Sequence, residues 1–183
     1  MDKIGDLIPR GRTTLLHGRS GSGKSYSMLK YFKECGVVPV FIDFDHNEEY
    51  NSSDIVHIYG PKLADDLFGD DKELAGSILK ELVDRVVVID TYAMTKLHLE
   101  SVKKVHSFID ALNDNGCTVV VVAHTAYYSG KPAEPDVDMV WANHVACRLH
   151  LHNEVKKTKI DIYLEVEKLR GYKGPALIYK WMR

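Results

Sequence analysis

The stretch Gly18-Arg19-Ser20-Gly21-Ser22-Gly23-Lys24-Ser25 constrains this chain more than any other. It satisfies G-x-x-x-x-G-K-[ST], a spacing with a mechanical reason behind it. Backbone N–H groups must turn inward to cradle a polyphosphate, and Gly18, Gly21 and Gly23 permit the dihedrals and the close approach this needs. Lys24 brings a point charge to the outer phosphates, and the Ser25 hydroxyl is a ligand for Mg²⁺. The eight residues Gly18, Arg19, Ser20, Gly21, Ser22, Gly23, Lys24 and Ser25 are thus the expected nucleotide cradle. Thr13-Thr14-Leu15-Leu16-His17 ahead of it reads as a short buried strand, and Lys24 to Glu34 as a helix aiming its positive end at the same anion. Strand, glycine loop and helix form the context the motif requires.

The remaining chain alternates strand and helix. Val37 to Asp43 is apolar up to its final carboxylate, as expected of a parallel strand covered on both faces, and Ile55 to Tyr59 is a shorter strand. Asp71 to Asp84 carries Leu74, Ile78, Leu79 and Leu82 at helical spacing. Arg85 to Thr91 and Thr118 to His124 are buried strands, and Leu97 to Asn113 between them is an amphipathic helix. From Val145 the helices stop. Strands near 145–152, 159–168 and 176–181 follow with turns between them, which predicts an antiparallel extension of the sheet. The expected fold class is α/β, a mostly parallel central sheet flanked by helices, read as one domain over residues 1–183.

Composition narrows the function classes. No apolar run approaches the length of a membrane span, and Met1-Asp2-Lys3 does not read as a signal peptide. Three cysteines, odd in number and scattered, fit a reducing cytoplasmic setting, with Cys35 and Cys117 expected to be buried beside strands. A net charge of −2 argues against coating nucleic acid by bulk charge. The charge is segregated, however: residues 43–73 are acidic and the chain from 142 onward is basic. This fits two solvated faces of a monomer or complementary surfaces of a head-to-tail assembly.

Three further positions carry candidate chemistry. Val86-Val87-Val88-Ile89-Asp90 ends a buried strand in a carboxylate, at the sheet edge where the glycine loop also lies. From there Asp90 can hold Mg²⁺ or bond Ser25; a helix cap or a turn is the plainer role for such an Asp. Phe41-Ile42-Asp43-Phe44-Asp45 places carboxylates just past the second strand, where a hydrolase needs one to orient water. Asp45 is the first choice and Asp43 the second. His124 closes the Val119–Ala123 strand, either as a structural residue or as a hydrogen-bonding sensor of the γ-phosphate.

Taken together, these pieces resemble the RecA-like ATPase core shared by recombinases, KaiC-type proteins and DnaB-type ring helicases. Ile8-Pro9-Arg10-Gly11 with Leu15-Leu16-His17-Gly18 resembles the lead-in to their phosphate loop, and Phe41 to His46 their strand-two segment. That segment's second acidic residue is the family's catalytic base, usually Glu; Asp45 is one methylene shorter. His124 falls at the polar sensor position. Glu167-Lys168-Leu169-Arg170-Gly171-Tyr172-Lys173-Gly174 resembles the Lys-x-Arg segment that reaches into a neighbour's ATP site. Charge supplied across an interface by Lys168 and Arg170 would neutralise the transferring phosphoryl group, whereas two basic residues on an edge strand also guard against aggregation.

The resemblance implies ATP and Mg²⁺ as ligands, a head-to-tail homo-oligomer, and single-stranded DNA as partner. The DNA would meet the loops after Asp90 and His124, Thr91–Lys96 and Thr125–Asn143, through Tyr127, Tyr128, Lys131 and Trp141, with Glu134, Asp136 and Asp138 opposing. The small size is most similar to phage-encoded single-domain annealing ATPases, which implies a DNA-stimulated ATPase of recombination or replication in a host cytoplasm. A ring-helicase motor core and a non-motor ATP-dependent assembly regulator are the alternatives.

Overall fold

Four consecutive valines, Val119 to Val122, are fully buried because their strand lies inside the sheet with a packed layer on each side. The computed structural model describes residues 8–45, 55–126, 134–156, 159–170 and 177–182. In chain order the elements are β1 (Thr13–Gly18), α1 (Lys24–Glu34), β2 (Val40–Asp43), β3 (Val56–Tyr59), α2 (Gly60–Phe68), α3 (Lys72–Leu82), β4 (Val86–Asp90), α4 (Tyr92–Leu99), α5 (Val102–Asp114), β5 (Thr118–Ala126), β6 (Glu134–Pro135), α6 (Met139–His144), β7 (Cys147–Lys156), β8 (Lys159–Leu169) and β9 (Leu177–Met182). The strands run in the order β3-β2-β4-β5-β1-β7-β8-β9, with β6 beside the end of β5. Pairing is parallel from β3 through to β7 and antiparallel across β7, β8 and β9. This is the α/β fold expected, a mostly parallel sheet flanked by helices with its antiparallel extension.

Strand alternation sorts the core into two layers. Leu15, Ile42, Ile89, Val119 and Val121 join Leu63, Tyr92, Val105, Phe108, Ile109 and Leu112 of α2, α4 and α5 on one face. Leu16, Phe41, Val88, Val120 and Val122 join Met28 and Phe32 of α1 on the other. That second layer continues along the extension through Leu149, Leu151, Ile162, Leu164 and Val166. Among the described residues, no helix is long and apolar enough to cross a membrane.

Several boundaries differ from the sequence reading. β2 begins at Val40 rather than Val37, after Pro39, whose missing N–H suits it to the approach rather than the ladder. The helix expected over 97–113 is two helices. Glu100 takes a left-handed conformation with φ 56° and ends α4, and Ser101 is extended and starts α5. The expected loop Thr91–Lys96 is therefore mostly the first part of α4, with Tyr92 and Thr95 buried and the Thr95 hydroxyl donating to the Thr91 carbonyl at 2.8 Å. Helix α2 lies inside the acidic stretch; Pro61 in its first turn, where no amide partner is needed, is its local signature. Cys35 caps α1 and is exposed, contrary to expectation, while Cys117 and Cys147 are buried. Burial pushes the Cys147 thiol up to about 12, which leaves it inert.

Phe108 is fully buried and meets Phe44 edge-on at 6.2 Å, whereas Asp71 caps α3 from the surface by accepting from the Leu74 amide at 2.9 Å. Urea unfolding is expected to show Phe108→Ala losing ~3–5 kcal/mol and Asp71→Ala about 1 kcal/mol. Equal losses at the two positions would contradict this placement of the core.

Candidate phosphate-binding cleft

Parallel pairing brings the ends of four strands to one edge of the sheet. Gly18 pairs with His124, Asp43 with Asp90, and Asp90 with Val122. Over this edge lies a cleft of about 310 Å³ lined by Ser20, Gly21, Gly23, Lys24, Ser25, Tyr26, Asp45, Asp90, Thr91 and His124. The structure thus gathers Lys24, Ser25, Asp45, Asp90 and His124, read separately from the sequence, around one space.

The loop is shaped by its glycines. Gly23 takes φ 90°, a left-handed conformation that side chains rarely adopt, and from it α1 starts with its amides pointing into the cleft. Gly18 is needed for lack of room. A Cβ there would overlap the Leu151 carbonyl oxygen on β7 and come within 2.8 Å of the Ser22 hydroxyl. Ser22 is buried, and its hydroxyl has no hydrogen-bond partner among the described residues.

Lys24 is 7% exposed, and its ammonium donates to the Gly18 carbonyl at 3.0 Å and the Arg19 carbonyl at 2.9 Å. Burial lowers its pKa, and the carboxylates of Asp90 and Asp45 pull it back up. Ser25 donates from its hydroxyl to Asp90 Oδ2 at 3.0 Å. The neighbouring Thr91 hydroxyl is buried without a hydrogen-bond partner among the described residues, and the Asp90–Thr91 peptide is cis. A hydroxyl against a carboxylate, a second hydroxyl awaiting a partner and a partly desolvated ammonium suit a Mg²⁺–triphosphate, so the residues fit the ligand that the motif implies.

The two candidate bases divide plainly. Asp43 is 2% exposed; one oxygen accepts from the Asp45 amide at 2.8 Å and the other lies 3.0 Å from His57 Nε2. It shapes the turn, and that turn presents Asp45 to the cleft. Thr91 and Tyr26 line the cleft without having been singled out; the place of Thr91 directly after Asp90 was its signal.

Lys168 and Arg170 lie at the other edge. Cys147 pairs with Leu169 and Thr14 with Cys147, so the end of β8 is level with the start of β1 across β7, at the end of the sheet opposite the cleft. The Lys168 ammonium donates to the carbonyls of Asn143 and Val145 at the end of α6, and the Arg170 amide donates to the Ala146 carbonyl at 2.8 Å. The Trp141 indole, half-buried, stacks on Tyr92 at 5.5 Å and on His106 at 5.3 Å. Asp138 caps α6 through the Trp141 amide at 2.8 Å. Tyr127, Tyr128 and Lys131 lie outside the described residues.

No protein-family profile matches the chain, and no curated protein does. Solved structures do. The KaiC-like protein PH0186 from the hyperthermophilic archaeon Pyrococcus horikoshii OT3 superposes with a TM-score of 0.66 at 16% identity, over 97% of this chain and 90% of that one. The likeness is one of fold, carried over nearly the whole length.

Gly18→Ala is expected to push β1 from β7 and lower stability by about 1–3 kcal/mol, the usual cost of overpacking. A fluorescent nucleotide should then bind about tenfold more weakly or worse. Unchanged stability and affinity would show that the loop tolerates a side chain where the structure leaves no room.

Proposed function

We propose that the chain binds and hydrolyses Mg-ATP as a RecA-like ATPase, with an ATP site completed by a neighbouring subunit and single-stranded DNA as its substrate in recombination or replication. The observation that carries the ATPase reading is the convergence of Lys24, Ser25, Asp45, Asp90 and His124 on one cleft over the strand ends. The loop amides and Lys24 hold the phosphates, and binding exchanges the Lys24 bonds to its own loop for bonds to phosphate. Ser25 and Asp90 hold Mg²⁺, which neutralises charge on the β- and γ-phosphates when bound. Asp45, held by its turn, orients and polarises the attacking water; His124 hydrogen-bonds near the γ-phosphate and distinguishes the states before and after cleavage.

Lys168 and Arg170 sit at the sheet edge away from the cleft of their own chain, so they serve catalysis only from an adjacent copy. A head-to-tail arrangement supplies that, and the acidic and basic stretches of the sequence favour it. For Lys168 the role requires release from the α6 carbonyls on assembly. The DNA partner rests on the family likeness alone. Asp45, shorter than the usual Glu, favours a second reading in which nucleotide acts as an assembly switch with little turnover.

Asp45→Asn should cut ATP turnover by roughly 10²–10⁴-fold, the span of general-base catalysis, and leave Mg-ATP affinity within about a factor of three. Lys24→Ala and Arg170→Ala should each be inactive alone, and an equal mixture should regain about a quarter of native turnover, since that share of head-to-tail interfaces pairs two intact halves. A silent mixture would remove the shared site, and turnover unaffected by Asp45→Asn would remove the base.

A further inference from the structure

On the face of the sheet turned away from α1, the extension carries polar side chains where its other face carries the core. Leu149 and Leu151 of β7 point into the α1 layer, so Arg148, His150 and His152 point the opposite way. Ile162, Leu164 and Val166 of β8 leave Tyr163, Glu165 and Glu167 to the same side. Antiparallel register sets His150 opposite Glu165 and His152 opposite Tyr163.

The geometry points to a transition-metal site, suited to Zn²⁺, formed by His150, His152 and Glu165. One ligand atom from each lies within 4.8 Å of the other two, and His150 Nδ1 is 3.9 Å from Glu165 Oε2. A tetrahedral Zn²⁺ with bonds near 2.0–2.1 Å needs its ligand atoms about 3.3 Å apart, so small side-chain rotations close the set. Two imidazoles and one carboxylate are the donor types Zn²⁺ takes with a fourth position left to water. One further feature favours a ligand here. His152 Nδ1 is buried and has no hydrogen-bond partner among the described residues, an unusual state for a buried polar nitrogen.

The surroundings hold the ligands in place. His17 stacks on His150 with ring centres 4.6 Å apart, and His152 stacks on Tyr163 at 5.1 Å. Glu167 is already engaged, 2.9 Å from His17 Nε2 and 2.7 Å from Arg148 Nε, and those partners keep its carboxylate charged despite its burial. It braces the rings rather than binding the ion. Between the two ligating histidines, Leu151 presents its carbonyl to Gly18, and Asn153 donates to the Gly21 carbonyl at 3.4 Å. The site therefore lies directly behind the phosphate loop, yet it shares no residue with it and does not depend on the ATPase reading.

The test is titration of the tag-free full chain, carrying Cys35→Ser to remove the exposed thiol, with Zn²⁺ alone. One ion per chain is expected, with affinity reduced tenfold or more by His152→Ala and by Glu165→Gln. Co²⁺ in place of Zn²⁺ should give the visible absorption of a four-coordinate site, lost in the same variants. Glu165 is the more exposed partner, so Glu165→Gln carries the test should circular dichroism show His152→Ala unfolded. Failure of the folded chain to bind Zn²⁺, or binding indifferent to Glu165→Gln, overturns the site.

Discussion

The parallel register of β2, β4, β5 and β1 is the constraint on which the cleft depends. Gly18 meets His124 and Asp43 meets Asp90 only because four buried apolar runs lie side by side in one phase. A slip of one residue would turn Asp43, Asp90 or His124 to the opposite face of the sheet and mismatch the two packed layers. Hydrophobic burial in the middle of the sheet thus fixes the positions of charged groups at its edge. The loop needs no separate device to find Asp90, because Ser25 lies in the first turn of α1 and α1 packs on the sheet that carries Asp90.

The cleft is arranged to give up bonds as well as form them. Lys24 rests on two carbonyls of its own loop and Ser25 on Asp90, so a triphosphate and its metal, if bound as proposed, would replace these partners. The division of labour between Asp43 and Asp45 follows the same logic. The buried carboxylate shapes the turn, and the outward one lines the cleft.

The parts that were legible in the sequence are those whose signal is local. The glycine loop, the strand ending at Asp90 and the apolar run into His124 each announce themselves within eight residues. Helix α2 did not, because its short apolar stripe of Leu63, Ala64 and Leu67 is embedded in acidic residues. The break at Glu100 was hidden because a left-handed glutamate leaves no mark in hydrophobic periodicity. The stacking of Trp141 on Tyr92 and His106 joins α6 to α4 and α5, a long-range contact that no local pattern announces. The cluster of His150, His152 and Glu165 required the β7–β8 register, which turn spacing alone does not reveal.

Lys168 and Arg170 lie at the edge opposite the cleft, so under the proposed function an adjacent copy would have to bring them to it. That arrangement has meaning only if the cup at Gly18–Ser25 takes a triphosphate. A crystal structure with Mg²⁺ and a non-hydrolysable ATP analogue measures this most directly. The account predicts phosphates against the loop amides, the Lys24 ammonium moved from the Gly18 and Arg19 carbonyls onto phosphate, and the metal at Ser25 on the Asp90 side. A nucleotide bound elsewhere, with Lys24 still resting on its own loop, would contradict it.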